Sequence, residues 1–132
     1  MGGAREVPLE NRKDYGMATK IRAQSIPGLE RTSLLRVHRL MLLARAMDEA
    51  ELKLRRHQKT FFQLSGAGHE AVQAAAALLL KPGHDWFYPY YRDRTLCLGL
   101  GIRPLDMFLQ AMGKGTDPSS GGREMPLHFG SP

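Results

Sequence analysis

The sequence has 132 residues, 42% of them hydrophobic, and a formal charge of +6 from 19 Lys and Arg against 13 Asp and Glu. That length holds one domain at most, and that composition excludes global disorder. The single cysteine, Cys97, excludes an internal disulfide framework and a cysteine-based zinc finger.

The charge is uneven. Residues 1–31 carry six basic and four acidic groups, residues 32–59 seven and three, and residues 60–132 six of each. The surplus therefore lies mainly on one predicted helix, as on many solvated helix faces, and the remainder is balanced. Nucleic-acid binding is a distant reading. The apolar run at 71–80 is broken by Gln73 and is too short to span a bilayer. The opening MGGAREVP has no apolar core of the kind a secretion signal needs. These features predict a soluble, intracellular protein, cytoplasmic if bacterial.

Residues 1–31, punctuated by Gly2, Gly3, Pro8, Gly16, Pro27 and Gly28, keep no helical or strand period. They read as an arm that lies on a partner or stays mobile. From Thr32 and Ser33, either of which can cap a helix, an amphipathic helix is predicted to near Lys59. Its apolar stripe is Leu40, Leu43, Met47, Ala50 and Leu54, at alternating steps of three and four. Arg45, Glu49 and Arg56 lie opposite, while Met41, Leu42 and Leu52 fall outside the stripe and call for a second packing partner.

Residues 60–64, aromatic and β-branched, could be extended. Gly66, Ala67 and Gly68 then open a second helix, 69–80, apolar on nearly all sides and so predicted to pack on several faces. Its alanines permit close backbone approach, and Lys81, Pro82 and Gly83 stop it. An all-apolar helix also argues against a lone monomer. An aromatic cluster follows at 85–91, where Pro89 argues against a central strand. Two shorter helices are predicted near 92–100 and 104–113, the latter with Pro104 in its first turn. Past Lys114 the chain reads as loop.

The densest chemistry is Trp86-Phe87-Tyr88-Pro89-Tyr90-Tyr91-Arg92-Asp93-Arg94. An arginine fork beside phenols suits a phosphate, because guanidinium binds it bidentately and a phenol adds a neutral donor. The same residues could equally form an aromatic mini-core with Arg92 paired to a carboxylate. Gly66-Ala67-Gly68 could present amides to an anion, although a tight turn explains it more simply. Gly113-Lys114-Gly115-Thr116 lacks the spacing of a phosphate loop. The histidines at 38, 57, 69, 84 and 128 have no metal-ligand spacing. His38 and His57 read as surface residues. His69 reads as an orienting or core hydrogen-bonding group, and His128, in a glycine-flanked loop, is the one acid/base candidate. Cys97 reads as a buried thiol, and Met107, Met112 and Met125 as core packing.

Three segments in fixed order go further: FQLSGAGHEA at 62–71, KPGHDWFYPYYRD at 81–93 and GREMPLH at 122–128. Together they resemble the alpha subunit of the thiamine-diphosphate-dependent, decarboxylating component of 2-oxo acid dehydrogenase complexes. The Tyr-Tyr-Arg-Asp and Gly-Arg-x-Met-Pro elements look more like the branched-chain (2-oxoisovalerate) type than the pyruvate type. The likeness runs from about Leu34 to Pro132. It implies a chain mainly α over this stretch, forming the N-terminal portion of an α/β thiamine-diphosphate-binding fold, with residues 1–31 as arm and 32–132 as incomplete domain. Tyr91 and Arg92, with Tyr90 beside them, match positions that hold the cofactor's diphosphate. Phe62 and Met125, with Tyr91, match positions lining the pocket for the aliphatic substrate. Gly66 and Gly68 gain a steric reason to be small, because that helix opening packs close to the site. No residue here matches a catalytic histidine of the family.

The family's Gly-Asp-Gly…Asn motif, which binds the magnesium that anchors the diphosphate, is missing, and the sole asparagine is Asn11. The sequence thus looks like the N-terminal piece of a larger protein, ending in mid-loop and unable to complete the site. The resemblance implies a beta subunit, or a fused beta half, and a lipoyl-bearing acyltransferase as partners in a hetero-oligomer. The rivals are a dehydrogenase acting on pyruvate or acetoin, and an inactive helical fragment serving only as an interaction module.

Overall fold

The computed structural model describes residues 27–126 together with 128 and 129. In chain order the described helices are α1 (Arg31–Arg56), α2 (Glu70–Leu79), α3 (Arg94–Gly99) and α4 (Pro104–Ala111). α2 and α3 pack on α1 and on each other, and α4 rests against α1. Among the described residues there is no strand, so the expected helical class holds for them, and residues 60–64 belong to no helix or strand. The expected arm lies almost wholly outside the described residues. No described helix is long and apolar enough to cross a membrane.

The start of α1 corrects the sequence reading. The helix begins before Thr32, with Glu30 at the N-cap and no capping bond from a side chain. The Thr32 hydroxyl donates instead to Glu30 Oε2 at 3.4 Å. At the other end Lys53, Arg55 and Arg56 occupy the last turn, where cations complement the helix dipole.

The buried face of α1 is also displaced from the predicted stripe. It comprises Ala44, Met47, Asp48 and Glu51, whereas Leu43 is exposed. Apolar periodicity places carboxylates on the surface. Here two of them turn inward because Arg94 of α3 meets them: its Nη2 lies 2.6 Å from Glu51 Oε2, and its Nε 3.4 Å from Asp48 Oδ1. A buried charge is tolerated only when it is paired in this way.

α2 buries Glu70, Gln73, Ala74 and Ala77. Its opposite side, with Ala71, Val72, Ala75 and Leu79, is exposed, Val72 at 67% and Leu79 at 80%. The expectation of packing on several faces is therefore not met within the described residues. Close approach is met. A Cβ on Gly99 would overlap Ala77 Cβ and stand 3.3 Å from Leu40 Cδ1. The core beneath joins Ala44, Met47, Cys97, Leu98 and Met107, flanked by Leu40, Ile102, Phe108 and Phe129. Burial, reinforced by the Asp93 charge, pushes the Cys97 thiol up to about 12, which makes it inert at neutral pH. Met107 belongs to this core, but Met125 is 58% exposed and does not.

After α4 the loop folds around Asp117. Its carboxylate accepts the amides of Ser119, Ser120 and Gly122, each at 3.1 Å, and the Ser120 hydroxyl at 3.0 Å. Burial alone would raise this carboxyl, but the hydrogen bonds outweigh it and hold it below the ordinary aspartate range. Gly122, at φ +75°, lets two stretches of backbone cross: a Cβ there would stand 2.7 Å from the Gly113 carbonyl oxygen.

Candidate functional site

The aromatic segment links α2 to α3 and owes its shape to two aspartates. Asp85 Oδ2 accepts the Lys81 amide at 2.8 Å, closing the turn after α2. Asp93 closes the next turn twice, its amide donating to the Tyr90 carbonyl and its Oδ2 accepting the Tyr90 amide, both at 2.8 Å. Tyr90, Tyr91 and Arg92 are thereby held on a tight bend directly before α3.

The cluster is not an aromatic mini-core. Trp86 and Tyr88 are more than nine-tenths exposed and Tyr90 is half exposed. The Tyr90 and Tyr91 ring centroids lie 3.7 Å apart, and the Arg92 guanidinium carbon is 5.0 Å from the Tyr91 centroid. Arg92 is half-buried, and its Nη1 donates to the Ser65 carbonyl at 3.1 Å. Among the described residues no carboxylate pairs with Arg92. The hydrogen bond between the two phenols holds Tyr91 below the ordinary tyrosine value, with the adjacent Arg92 acting in the same sense, and it raises Tyr90. The two phenols thus stand next to an arginine whose charge the described residues leave uncompensated.

Gly66-Ala67-Gly68 does not offer its amides to an external anion. The Gly66 amide donates to Asp48 Oδ2 at 3.0 Å, Ala67 to Ser65 Oγ at 3.1 Å, and Gly68 to Glu70 Oε2 at 2.8 Å. The anions bound there are the protein's own carboxylates. Burial pushes Glu70 up, but its own amide, Arg45, the Gly68 amide and the Arg45 charge together hold it low. The steric reason for a small residue holds at Gly66, where a Cβ would stand 3.0 Å from the Arg92 carbonyl oxygen. At Gly68 the reason is conformational instead: φ is +93° and the space around it is open.

The other singled-out residues divide. His128 lies beside Tyr91, ring centroids 6.3 Å apart, with its carbonyl accepting Gln110 Nε2 at 2.7 Å. Its Nδ1 is 3.3 Å from the Met125 carbonyl oxygen, which ties Met125 to the same neighbourhood. Phe62 sits three positions before Ser65 and is 36% exposed. No ring contact or hydrogen bond among the described residues joins it to Tyr91. His38, His57 and His69 are exposed. A cleft of about 760 Å³, lined among others by Trp86, Phe87, Cys97 and Ile102, contains none of Tyr90, Tyr91 and Arg92. Among the described residues no three His, Cys, Asp or Glu gather as a metal site.

Sequence reasoning missed the residues that hold this bend. Gln73 registered only as a break in an apolar run. Asp48 and Glu51 were not singled out. The available signals were a lone amide within an apolar helix and an i, i+3 acid pair followed by Arg94 in the aromatic cluster.

Comparison with known proteins decides the family. The family model described as Dehydrogenase E1 component matches residues 38–132. The chain belongs to the dehydrogenase E1 component family. It is 42% identical over 103 residues to 2-oxoisovalerate dehydrogenase subunit alpha of Bacillus subtilis, covering 78% of this chain and 31% of that protein. It is 32% identical over 105 residues to the protein of the same name in Pseudomonas aeruginosa, covering 80% of this chain and 25% of that one. In Arabidopsis thaliana, 2-oxoisovalerate dehydrogenase subunit alpha 1, mitochondrial, is 31% identical over 106 residues, covering 80% and 22%. The chain therefore spans less than a third of these family members. No solved structure matches it significantly. The E1 family is one of thiamine-diphosphate-dependent dehydrogenase components, as the three sequence segments imply.

Proposed function

We propose that the chain supplies the diphosphate-anchoring portion of an alpha-type subunit in a thiamine-diphosphate-dependent dehydrogenase of branched-chain 2-oxo acids. Its partners are then a beta subunit or fused beta half and a lipoyl-bearing acyltransferase that accepts the acyl group. Magnesium is then held by residues this sequence does not contain. One observation carries the reading: Arg92, half-buried and fixed to the Ser65 carbonyl, has no carboxylate partner among the described residues.

An arginine carries five N–H donors in a planar fork, so one bond to Ser65 leaves capacity for a bidentate phosphate contact. The Tyr91 phenol, beside the Arg92 guanidinium, can donate a further hydrogen bond, with Tyr90 next to it. The cofactor, when bound, supplies the electron sink for decarboxylation. The chain's part is to neutralise and orient the diphosphate. Phe62 and Met125 offer apolar surface, which is all a branched aliphatic side chain can use for recognition. The uncovered apolar side of α2, with Val72 and Leu79, supports assembly with another subunit.

The test is calorimetric titration of the assembled enzyme with thiamine diphosphate and, separately, with thiamine. Arg92→Ala should weaken the diphosphate by about tenfold to a hundredfold, the worth of one or two charge-assisted hydrogen bonds. Thiamine, which lacks the diphosphate, should bind both forms equally. Unchanged affinity for thiamine diphosphate would overturn the reading.

A further inference from the structure

We propose that Gln73, with Asp48, positions Arg92, fixing the direction in which its guanidinium presents itself to a diphosphate; this rests on the reading of Arg92 above. A free arginine side chain has many rotamers, and ordering them on binding weakens affinity. Here both ends of Arg92 are fixed, each from a different helix.

α2 holds the main-chain end. Gln73 Nε2 donates to the Arg92 carbonyl and to Asp93 Oδ1, each at 3.0 Å, while its Oε1 accepts the Thr95 amide at 3.1 Å. One buried side chain thus grips Arg92, Asp93 and Thr95, three of the four positions leading into the first turn of α3. α1 holds the guanidinium end. Asp48 Oδ2 accepts the Ser65 hydroxyl at 2.7 Å and the Gly66 amide at 3.0 Å, fixing the Ser65 carbonyl on which Arg92 Nη1 rests.

The chemistry requires an amide at position 73. It must donate to a carbonyl and a carboxylate while accepting from an N–H, and a carboxamide carries two N–H donors and an acceptor on one planar group. A glutamate there would keep the contact to Thr95 but turn a second oxygen toward two acceptors. An asparagine would fall one methylene short.

A double-mutant cycle separates this role from general support of the fold. Gln73→Glu, Arg92→Ala and the pair are assembled into the enzyme and titrated with thiamine diphosphate and with thiamine, and thermal midpoints are recorded alongside. Gln73→Glu should weaken thiamine diphosphate about tenfold, leave thiamine unchanged, and add nothing once Arg92 is alanine. Equal losses for both ligands, an undiminished loss on the Arg92→Ala background, or no loss at all would overturn the proposal. If Gln73→Glu does not assemble, Ser65→Ala takes its place. It removes one of the two Asp48 bonds and should give a loss of about threefold that again vanishes with Arg92→Ala; persistence of that loss overturns the proposal. Should Arg92→Ala alone leave thiamine diphosphate binding unchanged, the anchoring reading itself falls, an outcome distinct from failure of the relay.

Discussion

Arg94→Met should destabilise the protein by about 3–5 kcal/mol, read as a lower midpoint in urea. Arg94 is 2% exposed and is the cation that faces both Glu51 and Asp48, themselves 1% and 4% exposed. Removing it leaves two carboxylates in a dry interior. Burial already raises Glu51 above the ordinary glutamate range, against the Arg94 hydrogen bond and charge that lower it, with the Asp48 charge adding to the rise. The native state therefore binds this proton more tightly than the unfolded chain does. Its contribution is complete below the unfolded pKa and declines as pH rises through the native one. Without Arg94, Glu51 should hold its proton to still higher pH. The variant should then regain stability as pH falls through the raised Glu51 pKa, more than the parent does over the same interval. A variant equally stable at pH 7, or one that acid does not rescue, would show that Arg94 is not the charge that makes this core possible.

Gly99→Ala carries the second large effect. The added methyl would overlap Ala77 Cβ, so α2 and α3 must part. Overpacking of this kind costs about 1–3 kcal/mol. The consequence reaches the site, because the same two helices carry Gln73 and Thr95, whose hydrogen bond at 3.1 Å spans them. Thermal midpoint and thiamine diphosphate affinity should fall together. Ala77→Gly in the same chain should restore the affinity and most of the stability, less the helix propensity lost at position 77. A Gly99→Ala protein with unaltered cofactor affinity would show that the spacing of α2 and α3 does not govern the bend.

How far the sequence could be read depended on the kind of force involved. Repeating apolar steps announced α1, Pro104 announced α4, and Lys81, Pro82 and Gly83 announced the end of α2, since each acts within a few residues. The buried side of α1 was misjudged because Asp48 and Glu51 face inward only through Arg94, more than 40 positions away. Residue chemistry at Tyr90, Tyr91 and Arg92 pointed to a phosphate but not away from a closed core; exposure of the rings and the missing carboxylate rule against the closed core. The one local mark of Gln73 is that it is a lone amide in an apolar helix, which does not say what it holds. Its importance comes from carbonyls and amides that the fold brings to it. The apolar side of α2 was legible as composition but not as exposure, because composition does not tell a core from a surface awaiting a neighbour.

The bond pattern around the bend also sets how this region breathes. The amides of Gly66 and Thr95 end on side chains carried by other helices, Asp48 of α1 and Gln73 of α2. Such amide protons are shielded from solvent deuterium only while the helices are docked, whatever the helical content of each segment. Slow exchange at these two positions would therefore clock the docking of α1, α2 and α3 directly. Amides in the middle of α1, bonded within their own helix, would register a different and more local opening.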